Sequence, residues 1–321
     1  MGKYRILAMD GGNGLNTALL LQGIKSFLDE KDQDYLENVD LYAGTSAGAI
    51  NSLFFAKHER LEDAMTDIFK YQLEIYNDIL HAEDPWNLVG AATGFNPLAR
   101  MDKVRAFYVD YFGPTLRLAD LYHKVVVVTY VLDNEQPPPY RQWEPRIFTN
   151  LPGSPNADAL VADVLMRSSA LPIAYPLFQS ITGEGPAYVD GAVVANNPAM
   201  FALTSAYDHV DLKDVLLLSV GTGRNVVGNA DFIAPEFDKG VADWGYRQWL
   251  MNPADPMLLI DMLIQAGEEA VSFECEQILR ERHCRLNVDL KKKRVDLDDE
   301  AIREQVEAAV DWLKGSGWLD A

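Results

Sequence analysis

Short apolar runs that end in glycine-containing turns alternate with apolar residues at helical spacing along most of the chain. The runs at 4–9, 39–43, 124–132 and 215–220 have the length and bounding turns of buried strands. The run at 124–132 is the richest in β-branched residues, which is typical of a central strand. Strands that alternate with helices predict an α/β fold with three layers, α/β/α, around a mostly parallel central sheet.

The same pattern predicts how the helices are distributed. Apolar residues recur at helical spacing over 15–28, 61–80, 103–111, 256–279 and 302–313. Asn16 or Thr17 could cap the first of these helices. The stretch from about 60 to 120 is too long for a simple crossover and contains two turn-rich segments, so we expect a helical cap insertion there. We therefore predict one domain over residues 1–321, with a helical C-terminal portion from about 256 to 321.

Charge and composition narrow the function classes. Hydrophobic residues make up 48% of the 321 residues and charged residues 24%, which is ordinary for a globular protein with a sizeable core. The net charge of −20 argues against nucleic-acid binding and gives no help in adsorbing to an anionic membrane. The one basic cluster, at 291–294, leaves a transient membrane-surface contact as a secondary interpretation. No apolar run approaches 18 residues and no leader precedes the first strand, so a cytoplasmic location is expected.

The strongest chemical signal is the sequence Gly44-Thr45-Ser46-Ala47-Gly48. It stands between an apolar run and a helical pattern, so it matches the G-x-S-x-G turn that holds a nucleophilic serine between strand and helix. The start of that helix would offer free N–H groups, including that of Ala47, to a developing negative charge. A glycine–serine loop without chemistry is the alternative.

A nucleophilic serine needs a base, and the histidines do not supply an obvious one. His58 and His209 fall near predicted helix ends, and His283 stands in a charged helix tail where it would be solvated. An aspartate can replace histidine when a dry pocket raises its pKa. Asp190 follows an apolar strand and precedes a glycine, which suits that role, although an ordinary Asp-Gly turn has the same pattern.

An oxyanion also needs donors, and the turn after the first strand can provide them. Gly11, Gly12, Asn13 and Gly14 offer consecutive backbone N–H groups between strand and helix. A dinucleotide-binding loop is a weak alternative because the G-x-G-x-x-G spacing is not met, and a plain tight turn is another. The pattern of a P-loop is absent. The two cysteines, Cys275 and Cys284, have no metal-ligand spacing and are expected to be reduced and partly buried, so no metal or cofactor is predicted.

Taken in order, these segments resemble the patatin-like phospholipase family. The similarity is carried by Asp10-Gly11-Gly12, by the Ser46 pentapeptide, by Ser168-Ser169-Ala170-Leu171-Pro172, by Asp190-Gly191-Ala192 with Asn196-Asn197-Pro198, and by Leu218-Ser219-Val220-Gly221-Thr222-Gly223. The resemblance runs from about residue 4 to 290. It implies a serine acyl hydrolase of the phospholipase A or lysophospholipase type, which cleaves ester-linked acyl chains of lipids with a Ser-Asp dyad and without histidine.

Carried onto this chain, the resemblance implies that Ser46 is the nucleophile and Asp190 the general base. The oxyanion donors would be backbone N–H groups of Gly11, Gly12, Asn13 and Ala47. The family loop usually reads D-G-G-G-x-R/K-G, but here Asn13, Leu15 and Asn16 replace a glycine, the cation and the last glycine. Asn13 is expected to tolerate a positive φ, and the loss of the cation removes positive charge near the oxyanion.

Two other functions remain open from the sequence. The altered loop would suit a non-catalytic lipid-binding or regulatory module on the same fold. The same residues could also transfer an acyl group to an acceptor other than water. In the hydrolase interpretation, apolar residues of the 68–80 and 257–264 segments line the path of the acyl chain.

Overall fold

A seven-stranded sheet forms the centre of the protein. The computed structural model describes residues 3–74, 101–225, 238–239, 241–251, 257–290 and 299–318. Its main-sheet strands are β1 (Tyr4–Met9), β2 (Leu41–Thr45), β3 (Lys124–Val131), β4 (Glu144–Thr149), β5 (Tyr188–Asp190), β6 (Val215–Val220) and β8 (His283–Leu286). Two further short strands, β7 (Arg224–Asn225) and β9 (Asp289–Leu290), pair with each other in parallel.

The order of strands confirms a mostly parallel sheet. The strands run β4-β3-β2-β1-β6-β8, and β5 pairs with β3 beside the end of β2. All pairs from β3 to β8 are parallel, whereas β4 and β5 run antiparallel to β3. Because parallel strands end at one edge of a sheet, the turns that follow β1, β2 and β6 gather there.

Helices cover both faces of this sheet. They are α1 (Gly14–Glu30), α2 (Ala47–Lys57), α3 (Leu61–Glu74), α4 (Asp102–Phe112), α5 (Val161–Ser168), α6 (Ala192–Ala195), α7 (Ala199–Ala206), α8 (Tyr246–Leu250), α9 (Leu258–Leu279) and α10 (Asp299–Ser316). Leu7 and Met9 of β1 pack into the cluster that contains α1, α2 and α10, while Ile6 and Ala8 pack with α7 and α9. This alternation gives the predicted three layers, with apolar cores on both sides of the sheet.

The predicted cap is described only in part. Helices α3 and α4 pack against the layer formed by α1, α2 and α5. The rest of the insertion, including the end of the predicted 61–80 helix and the two turn-rich segments, lies outside the described residues, as does the basic cluster at 291–294. The single-domain organisation therefore stays a prediction. In the described part of the chain, no helix combines the length and apolar character needed to cross a bilayer.

The structure also tests the predictions for the two cysteines and for His283. Cys275 and Cys284 are free, as expected, and they are fully rather than partly buried. The prediction of a solvated His283 is wrong, because the charged segment ends in a single 3₁₀ turn and His283 begins strand β8. Burial there lowers the pKa of His283 to about 4.

Candidate active site

Ser46 occupies a strained turn between β2 and α2. Its φ of 54° and ψ of −120° lie far from the backbone conformations that a residue with a side chain ordinarily adopts. The turn requires glycine on both sides: a Cβ at Gly44 would lie 2.2 Å from the carbonyl oxygen of Gly48, and a Cβ at Gly48 would lie 2.0 Å from that of Met9. The glycines thus let strand and helix approach closely enough to hold Ser46 at the edge of the sheet.

Ser168 holds this turn from the end of α5. Its Oγ accepts a hydrogen bond from the backbone N–H of Ser46 at 2.9 Å and donates one to the carbonyl oxygen of Val128 at 2.8 Å. Ser168 is fully buried. The sequence marked the segment that contains Ser168 but gave it no role, because the contact joins residues 122 positions apart.

Asp190 lies near Ser46 because strands β2 and β5 both pair with strand β3. The last residue of β2, Thr45, pairs with Val128, and Asp190 at the end of β5 pairs with Thr129. Strand β4 occupies the other edge of β3 over the same residues, so β2 and β5 must lie end to end on one edge. Consecutive residues of β3 therefore bring the carboxylate beside the serine turn.

The Asp190 carboxylate lies in a dry environment with one oxygen uncommitted. Its side chain is 1% exposed, and Oδ1 accepts a hydrogen bond from the Ala192 N–H at 2.8 Å. Burial raises the pKa of Asp190 to about 7, although the Ala192 N–H and the neighbouring Ser46 hydroxyl oppose the rise. Oδ2 has no hydrogen-bond partner among the described residues. The carboxylate can therefore exchange a proton with the adjacent hydroxyl near neutral pH.

The turn after β1 presents backbone N–H groups to the same place, with one correction to the predicted set. The N–H of Gly11 donates to the carbonyl oxygen of Asn196 at 3.1 Å, so it is already committed and anchors the loop instead. The N–H groups of Gly12, Asn13 and Ala47 have no acceptor among the described residues. These three groups are the ones that remain able to bind an anion.

Asn13 also differs from expectation. The residue with positive φ is Gly12, at 126°, whereas Asn13 has an ordinary φ of −86°. Its side chain accepts hydrogen bonds from the N–H groups of Leu15 and Asn16, at 3.1 and 3.2 Å, which makes Asn13 the N-cap of α1. The prediction that Asn16 or Thr17 caps this helix is wrong, because α1 already begins at Gly14.

One cavity of about 730 Å³ joins these groups. Its lining includes every predicted site residue, namely Gly11, Gly12, Asn13, Ser46, Ala47 and Asp190. The apolar part of the remaining wall comes from Leu15, Ile50, Met101, Val104, Tyr108, Leu171, Ala174, Tyr175, Met257 and Ile264. Polar side chains also line the cavity, namely Gln72, Ser169, Asn196, Thr222, Asp261, Gln265 and Glu268. Met257 and Ile264 agree with the predicted 257–264 wall, whereas Ile68 is buried in the core and Gln72 lines the cavity in its place.

No histidine takes part in this arrangement as far as the structure describes it. His58, His123, His209 and His283 lie outside the cavity lining, and His81 is outside the described residues. Within the described ranges there is also no group of three or more His, Cys, Asp or Glu side chains placed to hold a metal ion. Among the described residues, the cavity brings together the Ser46 hydroxyl, the Asp190 carboxylate and backbone N–H groups.

Comparison with known proteins agrees with the motifs. A family model described as patatin-like phospholipase matches residues 7–203, which is more than half of the chain. The chain belongs to this family. The resemblance inferred from the motifs is confirmed, and membership of this family supports a lipid acyl hydrolase in broad terms.

Relatives in the patatin-like phospholipase family span bacteria and plants. CotR from Bacillus subtilis (strain 168) is 28% identical over 281 residues, which cover 83% of this chain and 81% of CotR. Patatin-like protein 2 from Arabidopsis thaliana is 27% identical over 314 residues, 88% of this chain and 74% of that protein. Among solved structures, VipD from Legionella pneumophila is similar at 13% identity and a TM-score of 0.44, with 98% of this chain and 66% of VipD covered.

Proposed function

We propose that the protein is a serine acyl hydrolase that cleaves ester-linked acyl chains of lipids, of the phospholipase A or lysophospholipase type, through Ser46 and Asp190. One observation carries the proposal. A serine in a strained turn lies beside a fully buried carboxylate whose pKa is raised to about 7, in a cavity whose walls include many apolar side chains. A buried charge that destabilises the fold is hard to account for unless it has a chemical task.

The reaction follows from these positions. Asp190 accepts the proton of the Ser46 hydroxyl while Oγ attacks the ester carbonyl carbon, and the carbonyl oxygen takes the negative charge. The N–H groups of Gly12, Asn13 and Ala47 stabilise that oxygen. The bond to the alcohol then breaks, and the alcohol leaves with the proton from Asp190, which gives an acyl-enzyme. Water deprotonated by Asp190 attacks the acyl carbon, and Ser46 recovers its proton as the fatty acid leaves.

The substrate class is supported by the walls and the rim of the cavity. The apolar walls suit an acyl chain. Apolar side chains next to lining residues face solvent: Ile173 is 50% exposed beside Leu171 and Ala174, and Leu263 is 59% exposed beside Ile264. We infer that Ile173 and Leu263 lie at the rim of the cavity, where they would make a transient contact with a lipid surface. The net charge of −20 favours neutral or zwitterionic lipids over anionic ones.

Hydrolysis of p-nitrophenyl esters of increasing chain length tests the proposal. Ser46→Ala and Asp190→Asn should each lower kcat by at least about 10³-fold. The matched controls Ser180→Ala and Asp208→Asn alter residues that do not line the cavity and should retain activity. Full activity in either site variant would overturn the dyad. A folded wild type without activity would instead support a lipid-binding module, and ester formation with an added alcohol would indicate acyl transfer.

A further inference from the structure

An ion pair between the fully buried Asp10 and the largely buried Arg285 lies directly beneath the loop that carries Gly11–Asn13. The two terminal nitrogens of the Arg285 guanidinium bind the two carboxylate oxygens of Asp10, with Nη1 2.9 Å from Oδ1 and Nη2 2.5 Å from Oδ2. Nη1 also donates to the Ser219 hydroxyl at 2.9 Å. Burial acts to lower the pKa of Arg285, but the carboxylates of Asp10, Glu268 and Glu269 together outweigh burial and keep that pKa above its ordinary value. Arg285 therefore remains a cation under the loop.

A second carboxylate approaches the same loop from α9. Glu268 lines the cavity, and its Oε1 accepts a hydrogen bond from the Asn196 amide nitrogen. That nitrogen also donates to the backbone carbonyl oxygen of Gly11 at 3.0 Å, while the backbone carbonyl oxygen of Asn196 accepts a hydrogen bond from the Gly11 N–H. Asn196 thus clamps Gly11 on both sides, and Glu268 fixes the orientation of the clamp. Oε2 of Glu268 lies 3.9 Å from Arg285 Nη2.

These contacts link the loop to a part of the chain that the family match does not reach. The match ends at residue 203, whereas Glu268 and Arg285 belong to α9 and β8. The loop itself has Leu15 at the position where the family pattern has a cation. Arg285 brings a positive charge to the loop from β8 instead, two strands away from β1 in the sheet.

We propose that Arg285 and Glu268 are positioning residues for the oxyanion loop, with opposite effects on the charge beneath it. Arg285 holds Asp10 and compensates for the missing cation at Leu15. Glu268 orients Asn196, and when it is ionised it leaves the cluster with a net negative charge that opposes a developing oxyanion. This inference rests on the proposed function, because it concerns the rate of the same acyl transfer.

The charged groups around Glu268 set the pH range in which its carboxylate is ionised. The groups that face it are Asp10 from the turn after β1, Arg285 from β8, and Glu269 beside it on α9. Asp261 lines the same cavity from the preceding turns of α9. Burial, followed by the Asp10 carboxylate, raises the pKa of Glu268 to about 7. Glu268 therefore becomes ionised over the same range of pH in which Asp190 becomes a base.

A matched pair of variants tests this. Glu268→Gln removes the charge and keeps an oxygen that can accept from Asn196, whereas Glu269→Gln removes the same charge from an exposed neighbour on the helix. For ester hydrolysis, kcat of Glu268→Gln relative to wild type should rise by about 3- to 10-fold between pH 6 and pH 8.5, with KM little changed. The ratio for Glu269→Gln should stay within about 2-fold.

Three results would overturn the inference while leaving the proposed function intact. Glu268→Gln could follow Glu269→Gln at both pH values, it could lose activity at both, or it could change KM alone. Failure of the proposed function is seen separately, as a wild type that does not hydrolyse esters.

Arg285 needs a second variant, because Arg285→Met alone leaves the Asp10 carboxylate buried without its partner and could unfold the chain. The double variant Asp10→Asn with Arg285→Met removes both charges together. Where it folds by circular dichroism, kcat should fall by about 10- to 100-fold and the rate of reaction with a fluorophosphonate should fall in parallel. Wild-type kcat in the folded double variant would contradict the role of Arg285.

Discussion

The hydroxyl oxygen of Ser168 accepts a hydrogen bond from the backbone N–H of Ser46 at 2.9 Å, and the same hydroxyl donates a hydrogen bond to the carbonyl oxygen of Val128. This buried hydroxyl therefore ties the serine turn to the strand that also carries the pairing of Asp190. The Ser46 turn and strand β5 are thus both attached to strand β3. A strained turn persists only when its surroundings hold it, so the anchor has measurable consequences.

Ser168→Ala should weaken both the fold and the reaction. It leaves the N–H of Ser46 and the oxygen of Val128 without a partner in a buried place, which costs about 1–3 kcal/mol of stability. The turn would then relax, and kcat should fall by about 10- to 100-fold. Thermal unfolding and ester hydrolysis measure the two effects. Ser180→Ala, whose hydroxyl bonds only within its own loop, serves as the control. Unchanged kcat in Ser168→Ala would contradict this role.

The pH dependence should carry the signature of Asp190. The carboxylate must be deprotonated to accept the Ser46 proton, and its pKa is raised to about 7. We expect kcat/KM to rise about tenfold per pH unit below pH 7 and to level off above it, apart from the decline assigned to Glu268. An acid limb centred near pH 4, the ordinary range of an aspartate, would contradict a buried base.

Much of this site could be predicted from sequence, and the reason is local. The strand, the glycine-bounded turn and the helix after Ser46 are contiguous, so their pattern alone placed the serine correctly beside a helix start. Asp190 could be proposed because an apolar strand and a glycine flank it. Arg285 could not be found in this way, since its contact with Asp10 spans 275 positions and depends on the register of β6 with β8.

The assignment of loop donors failed for a related reason. Sequence shows that Gly11 has an N–H group but not that the Asn196 carbonyl already accepts from it. The cap of α1 was likewise predicted three or four residues too late, because the Asn13 side chain accepts hydrogen bonds from the first turn of the helix. The sequence pattern predicts helices and strands, but it does not show the hydrogen bonds between segments that are distant in the chain.

Asp190→Asn should stabilise the protein while removing its activity. The folded pKa of about 7 lies above the ordinary value near 4, so the stability that Asp190 contributes is present at low pH and is lost as pH rises through 7. Near pH 8 the buried charge costs up to about 4 kcal/mol, which asparagine avoids. The melting temperature of Asp190→Asn should therefore exceed that of wild type by more at pH 8 than at pH 5. The exposed Asp208→Asn should show no such pH-dependent gain, and an equal gain at both pH values would contradict the raised pKa.

The exposed rim should matter only for lipid that is assembled in a surface. Ile173→Ser and Leu263→Ser should lower hydrolysis of zwitterionic phospholipid vesicles by about 3- to 10-fold and leave hydrolysis of a soluble short-chain ester unchanged. Tyr207→Ser is the control: this residue is 64% exposed and follows α7, near the start of β6 and thus at the opposite edge of the sheet. Equal losses on both substrates would show that the rim acts on folding or on the cavity instead.

The identity of the reacting atom is the central claim, and covalent labelling tests it most directly. Wild-type protein, Ser46→Ala and Asp190→Asn would be treated with a fluorophosphonate, digested and analysed by mass spectrometry. We predict one phosphonyl group per chain on the peptide that contains Ser46, much slower labelling in Asp190→Asn, and none in Ser46→Ala. A folded wild type that does not react, or a Ser46→Ala variant that reacts as fast as wild type, would contradict the account.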